Sequence, residues 1–384
     1  MPADRYAISV QYTVVPGRLV LDDRIESGRI TVEDGLITAV EPGGPIAGSS
    51  FIAPGFVDVH VHGGGGHDAM GDAAALDGMA RHLLRRGVTA FLPTAVTSPV
   101  SDLAMFAERV RAWIPNAPSD GAEPLGFNIE GPFLADARSG AHDPAHLRAP
   151  ADIRRAALAP LIDGLRLITI APELPGALDL IGWLRERGVA ISLGHSAATV
   201  DQARAGYAAG ATSTTHLFNG MTGVDHRAPG MAVAALLDDS AFVELIADGI
   251  HVDPALWPMI TRLKPADHLL LVSDGIALAG VGDGRASIGG LEVEVVDGRA
   301  TLVGTTTLAG SVIELDDEVC NLVTSGVPLP AAVAAASRNP LAMLGIADRG
   351  RIAVGQLADL VELDDTLRVR RVMRAGVWLN CEAA

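Results

Sequence analysis

Two histidines separated by a single residue close an apolar run in residues 56–66, FVDVHVHGGGG. In a strand, residues i and i+2 share a face. His60 and His62 are therefore expected to point together, with Asp58 on their side and Val57, Val59 and Val61 on the other. Paired imidazoles at a strand end are placed to share a metal ion. The glycines that follow let the backbone turn without side chains crowding the mouth. A satisfied histidine pair in a tight turn accounts for the same residues, so this motif alone does not decide.

Four further stretches repeat the pattern: Glu130 in FNIEG, His195 in ISLGHS, His216 in TTHLFN and Asp274 in LLVSDG. Each sets an ionisable residue at the C-terminal end of an apolar strand candidate. One buried His or Glu is usually structural, and Asp274 alone could be a helix N-cap in its SDG turn. Five nitrogen and oxygen donors plus an acid at one rim are hard to reconcile with core packing, because buried charge is costly unless paired or metal-bound. A divalent metal site is expected. Imidazole with carboxylate suits Zn(II) first, with Fe(II), Mn(II) and Co(II) as alternatives.

The elements that must position these residues are legible as alternation. Apolar strand candidates GFVDVHVH, TAFLPT, LGFNIEG, RLITIAPE, VAISLGHS, STTHLFN, FVELIADGIH and HLLLVSDGI have helical candidates between most of them, such as AAALDGMARHLLRRG and DLAMFAERVRAWI. Strand and helix in turn predict an α/β fold, a (β/α)8 TIM-like barrel whose active site forms at the C-terminal strand ends. ASIGGLEVEVVDGRATLVGT, residues 286–305, reads as a β insertion after the eighth strand. Both chain ends are β-rich. RITVEDGLITAVEPG reads as a hairpin turning at Asp34-Gly35, and residues 350–380 alternate similarly. The expected division is a small β domain from residues 1–53 and 350–384, flanking a barrel over 54–349.

Composition narrows the function. A formal net charge of −17 argues against a broad nucleic-acid surface. An anionic substrate would need a local cationic pocket against that field. Cys320 and Cys381 make no disulfide framework, which suggests a reducing compartment. The opening MPADRYAISV lacks a leader pattern, and no apolar run is long enough for a membrane span. A cytoplasmic protein is expected.

His-x-His on the first strand, a carboxylate on the third, His on the fifth and sixth and Asp on the eighth resemble the amidohydrolase superfamily. More closely, NIEGPFL, GAHDPAHL, LGHSAAT, HLFNGM, HRAPG, ADGIHV and SDGI are similar to the N-acetylglucosamine-6-phosphate deacetylases. The resemblance runs over nearly the whole chain. It implies a metal-bearing barrel with a β-sandwich domain made from both chain ends. It also implies a homodimer whose partner subunit contributes to the phosphate end of the site.

Residue by residue, the resemblance makes Glu130, His195 and His216 the principal metal ligands, and His60 and His62 a second-metal position that some members retain and others lose, which implies one or two ions per subunit. Glu130 would replace the bridging carbamylated lysine of many relatives. Asp274 matches the catalytic acid/base. It would take a proton from water made acidic by the metal as hydroxide attacks the acetyl carbonyl, then return a proton to the amine. His142 matches a residue near the reacting acetamide, Asn219 and Gly220 a donor loop, and Arg227 and His251 the phosphate contacts. Asp143 and Ala197 depart from the family, which often carries Asn at both positions, and Ser139 and Arg138 sit in a variable loop. The implied reaction is deacetylation of an amino-sugar phosphate. The alternatives are another amidohydrolase acting on a cyclic amide or an N-acyl amino acid, or a non-catalytic sugar-phosphate-binding barrel.

Overall fold

The computed structural model describes residues 12–43 and 50–380. Cys381 and the opening ten residues, on which two of the expectations above rest, lie outside that range. Eight parallel strands run in sequence order: Phe56–Val61, Val88–Val96, Phe127–Glu130, Leu165–Ile170, Ala190–Leu193, Ser213–Thr214, Phe242–Leu245 and Leu269–Leu271. Every predicted strand is present. The first and last are tied at the rim by backbone bonds from Asp274 N to the His60 carbonyl at 3.0 Å and from His62 N to the Gly275 carbonyl at 2.8 Å. The result is a nearly closed (β/α)8 barrel.

Between the strands, helices bury one apolar stripe each against the barrel. Ala73–Arg85 starts on an Asp72 cap that accepts from Ala75 N, and buries Leu76, Met79, Ala80, Leu83 and Leu84. Val200–Ala209 opens on a Thr199/Gln202 capping box. The small aromatic complement is spent in the shell, where Phe106 meets Phe127 edge-on at 5.6 Å and Phe91 meets Trp113 at 6.4 Å.

Both chain ends contribute to one seven-stranded sheet, in the order Val377–Asn380, Val369–Arg374, Leu360–Leu363, Phe51–Pro54, Tyr12–Val20, Ile25–Glu33, Leu36–Pro42. The predicted hairpin turn is there, with Asp34 and Gly35 at φ 48° and 83°. Leu360–Leu363 from the far end pairs antiparallel with Phe51–Pro54, and so joins the termini. The insertion after the eighth strand is a three-stranded sheet, Gly284–Ile288, Leu291–Val296 and Arg299–Leu302. Among the described residues, no helix is long and apolar enough to cross a membrane.

The first strand departs from simple alternation. Val57 and Val59 pack with Ala90, Leu92, Leu167 and Leu270 inside the barrel, whereas Phe56 and Val61 join the shell. The pairing with the second strand shifts register between Asp58 and Val61. That bulge reverses the phase. His60 and His62 turn inward at the rim as expected, but Asp58 does not share their side. It accepts hydrogen bonds from Ser273 Oγ at 2.6 Å and His60 N at 3.2 Å.

Candidate metal centre

The strand ends bring the predicted residues together. His60, His62, Glu130 and Asp274 form one group, and Glu130, His195 and His216 a second; within each, the donor atoms lie within 4.8 Å of one another. Glu130 belongs to both. Its Oε2 lies 3.5 Å from His60 Nε2 and 3.3 Å from His62 Nε2. Its Oε1 lies 3.0 Å from His195 Nε2 and 2.9 Å from His216 Nε2. Asp274 Oδ1 is 3.2 Å from His62 Nε2.

The outer ring nitrogens decide whether a cation fits. His60 Nδ1 meets the Glu244 carboxylate at 3.1 Å, His62 Nδ1 the Thr94 carbonyl at 3.1 Å, and His195 Nδ1 the Arg138 carbonyl at 2.7 Å. A carboxylate or a carbonyl only accepts, so each Nδ1 donates its hydrogen, and each Nε2 faces inward, where it offers a lone pair to any cation that displaces its proton. Those inward atoms nearly touch: 3.3 Å between His60 and His62, and 3.1 Å between His195 and His216. Imidazole nitrogens converging around a carboxylate, with the His60, His62 and His195 rings fixed from behind, suit a divalent cation.

Electrostatics agree. Burial opposes charge on both rings of the first pair, yet nearby carboxylates overcome it. Glu130 and Glu244 hold His60 well above the ordinary imidazole value; Asp274 and Glu130 raise His62 to about 9. Burial likewise opposes ionisation of Glu130, but His142, His60 and His195 hold it well below the carboxylate range. Asp274 is lowered to about 2 against its burial, by the His62 hydrogen bond and the two rings' charge. The rim is built to stabilise positive charge between ionised carboxylates.

Backbone strain helps to aim these side chains. His195, His216 and Asp274 sit at φ 44°, 27° and 47°, just past their strands. Such left-handed conformations cost a non-glycine residue on the order of 1–3 kcal/mol and cluster at functional sites. Gly220, at φ 57°, packs under His195; a Cβ there would lie 2.9 Å from the ring's Nδ1. The glycines after His62 have a similar cause. A Cβ on Gly63 would meet the Ala277 backbone nitrogen at 2.6 Å, where the first strand's loop crosses the eighth's.

Both groups open into a cavity of about 230 Å³, lined also by His142, Asn219, Gly220 and His251. A larger one, about 480 Å³ beside Thr261, Lys264 and Val327, gathers no imidazole or carboxylate. His142 Nδ1 accepts from Thr97 N at 3.3 Å, so its Nε2 carries the hydrogen, 3.2 Å from Glu130 Oε2. Burial is the main reason its pKa falls to about 4, with the charge of His195 adding to it against the pull of Glu130; at neutral pH it is an uncharged donor. His251 Nδ1 is held by Asp248 at 2.7 Å. The exception is Arg227, which lies on an exposed loop outside the cavity lining, its backbone N–H bonded to Asp225.

Sequence reasoning missed the groups that hold the rings from behind. The Thr94 and Arg138 carbonyls leave no signature in residue type. Glu244 and Asp248 do: each is a carboxylate in or just after the apolar run FVELIADG, where burial demands a partner.

The model of the amidohydrolase family matches residues 51–379. The chain is 40% identical over 357 residues to N-acetylglucosamine-6-phosphate deacetylase of Bos taurus, an alignment covering 88% of this chain and 85% of that one. It is 38% identical over 363 residues to N-acetylgalactosamine-6-phosphate deacetylase of Escherichia coli O157:H7, covering 92% and 94%. The solved N-acetylglucosamine-6-phosphate deacetylase of Thermotoga maritima superposes with a TM-score of 0.89 at 33% identity, covering 95% of this chain and 99% of that one. A variant of the Mycobacterium smegmatis enzyme, in complex with N-acetyl-D-glucosamine-6-phosphate, gives 0.88 at 35% identity, covering 96% and 99%.

Proposed function

Because the chain belongs to the amidohydrolase family and, within it, to the N-acetylglucosamine-6-phosphate deacetylases, we propose that it hydrolyses the acetamide of N-acetyl-D-glucosamine 6-phosphate to D-glucosamine 6-phosphate and acetate. The observation that carries this reading is the pair of donor groups bridged by Glu130, with Asp274 Oδ1 3.2 Å from His62 Nε2 at the same rim. A non-catalytic binding barrel has no need of an ionised acid there.

Glu130 with His195 and His216 would hold one divalent cation, and His60 and His62 with Glu130 a second; Zn(II) is the first choice for both. When bound, such a cation polarises a carbonyl and lowers the pKa of water from 15.7 to about 7. Asp274, ionised at neutral pH, accepts a proton from the attacking water as the C–O bond forms at the acetyl carbon. It then delivers that proton to the sugar nitrogen as the C–N bond breaks, because an amine leaves readily only when protonated. His142, uncharged with hydrogen on Nε2, donates to the acetyl oxygen as negative charge develops.

His251, Asn219 and Gly220 position the sugar phosphate within the cavity. Arg227 serves the phosphate of the partner subunit in a homodimer, which reconciles its role with its exposed place in a single chain. A bidentate guanidinium is the local positive charge that a phosphate needs on so acidic a protein. We place the enzyme in the cytoplasm.

The Escherichia coli relative's name makes the 4-epimer, N-acetyl-D-galactosamine 6-phosphate, the second reading. Steady-state kinetics on both phosphates and on unphosphorylated N-acetylglucosamine test the assignment. The glucosamine phosphate is expected to give the highest kcat/KM. Preference for the 4-epimer would reassign the sugar, and indifference to phosphate would overturn the substrate class.

A further inference from the structure

Among the described residues, Glu244 is the one carboxylate outside the two donor groups that hydrogen-bonds to a member of each. It lies in the seventh barrel strand, Phe242–Leu245, and is fully buried. Its Oε2 accepts from His60 Nδ1 at 3.1 Å and from the His216 backbone N–H at 3.1 Å. Its main-chain carbonyl accepts from Leu217 N at 2.8 Å. His216 is the residue at φ 27°, so side chain and main chain of one residue together brace a strained turn. Oε1 makes no hydrogen bond among the described residues.

A buried carboxylate with a free oxygen is poor core packing, because desolvating an anion costs several kcal/mol unless positive charge repays it. The nearest group that can carry such charge is His60. A carboxylate behind an imidazole fixes which nitrogen holds the hydrogen and raises the basicity of the other. We propose that Glu244 is a positioning residue for metal loading: it holds His60 with Nε2 free for the His60–His62 group and, through the His216 backbone, ties that group to the His195–His216 group.

The inference rests on the metal reading above and goes beyond it by naming a residue that no metal would touch. Glu244→Gln separates its two tasks. A neutral amide can still accept the His216 N–H, but it no longer places negative charge behind His60.

Chelator-stripped wild-type and Glu244→Gln proteins would be titrated with Zn(II) in competition with a chromophoric chelator, with circular dichroism as the control for fold. The variant is expected to fold and to lose about 10–100-fold in affinity at one class of site, while the other class holds. In a His60→Asn background the same substitution is expected to add no further loss at that class. Should Glu244→Gln fail to accumulate, Glu244→Asp, which withdraws the oxygen by one methylene, is expected to show the same selective loss. Unchanged Zn(II) affinity in a folded variant, or an undiminished loss in the His60→Asn background, would overturn the role of Glu244 alone. A wild-type protein that bound no Zn(II) would instead overturn the metal reading itself.

Discussion

His60 and His62 face one another across 3.3 Å between their Nε2 atoms, while each Nδ1 is committed to an acceptor behind it. Two rings so held turn both Nε2 atoms into one space, and each offers a lone pair there once a bound cation displaces its proton. The arrangement becomes favourable when a positive charge sits between them, and the Glu130 and Asp274 carboxylates complete the surroundings such a charge requires. On the other side of Glu130, His195 and His216 bring their Nε2 atoms within 3.1 Å of each other, with His195 Nδ1 held by the Arg138 carbonyl.

Asp274→Asn removes the proposed proton acceptor and keeps the shape. Turnover of N-acetylglucosamine 6-phosphate is expected to fall about 10²–10⁴-fold, the usual contribution of a positioned acid or base, with metal content and ligand binding retained. Stopped-assay kinetics and elemental analysis of the same preparation check both halves. Near-normal turnover would remove Asp274 from the mechanism.

Gly220→Ala tests how closely the Asn219–Gly220 loop is fitted to the His195 ring beneath it. The added Cβ would lie 2.9 Å from His195 Nδ1, at a φ of 57° that disfavours any side chain. The cost is expected to be on the order of 1–3 kcal/mol in stability, with at least a tenfold loss of activity as His195 is pushed aside. Thermal unfolding and kcat/KM together report it; a variant as stable and active as wild type would show that the close approach is unimportant.

Subunit complementation asks which active site Arg227 serves. Arg227→Gln and Asp274→Asn are each expected to impair a homodimer. Hybrid dimers of the two would contain one intact site if Arg227 crosses to the partner, and activity is expected to rise on mixing after subunit exchange. Failure to complement in verified hybrids would place Arg227 in its own subunit's site or in none.

The junction between end sheet and barrel carries a pH signature. Asp359 is buried, accepts from Ala375 N at 2.7 Å and lies 3.4 Å from Arg349 Nη1. Burial is the main cause that lifts its pKa to about 6, from about 3.9 in an unfolded chain. The folded state therefore keeps this proton longer than the unfolded state. Its contribution is fully present below about pH 4 and is lost as pH rises through 6, by on the order of 2–3 kcal/mol. Asp359→Asn is expected to flatten the fall in stability between pH 4 and 6, measured by urea unfolding of metal-free protein. A variant with the wild-type slope would contradict it.

The sequence made the barrel, both chain ends and the six rim residues visible because each depends on local pattern: apolar runs ending in an ionisable side chain, separated by helical periodicity. What it hid depends on contacts between distant segments. The bulge after Asp58 reverses a strand phase that a period of two had assigned to Val57 and Val59. The acceptor behind His195 is the Arg138 carbonyl, which any residue would supply. Arg227 carries the right chemistry at the right place in the motif, yet one chain leaves it in solvent. Glu244 was within reach, as a carboxylate in a strand otherwise buried on both faces.

Zn(II) reconstitution of chelator-stripped wild-type protein and Glu130→Gln, following bound metal and deacetylation in the same samples, probes the bridge on which both donor groups depend. Wild-type activity should be absent without metal and return in proportion to Zn(II) bound, while Glu130→Gln should lose both. Full activity in metal-free protein, or unaltered Zn(II) binding by Glu130→Gln, would contradict a metal centre built on Glu130.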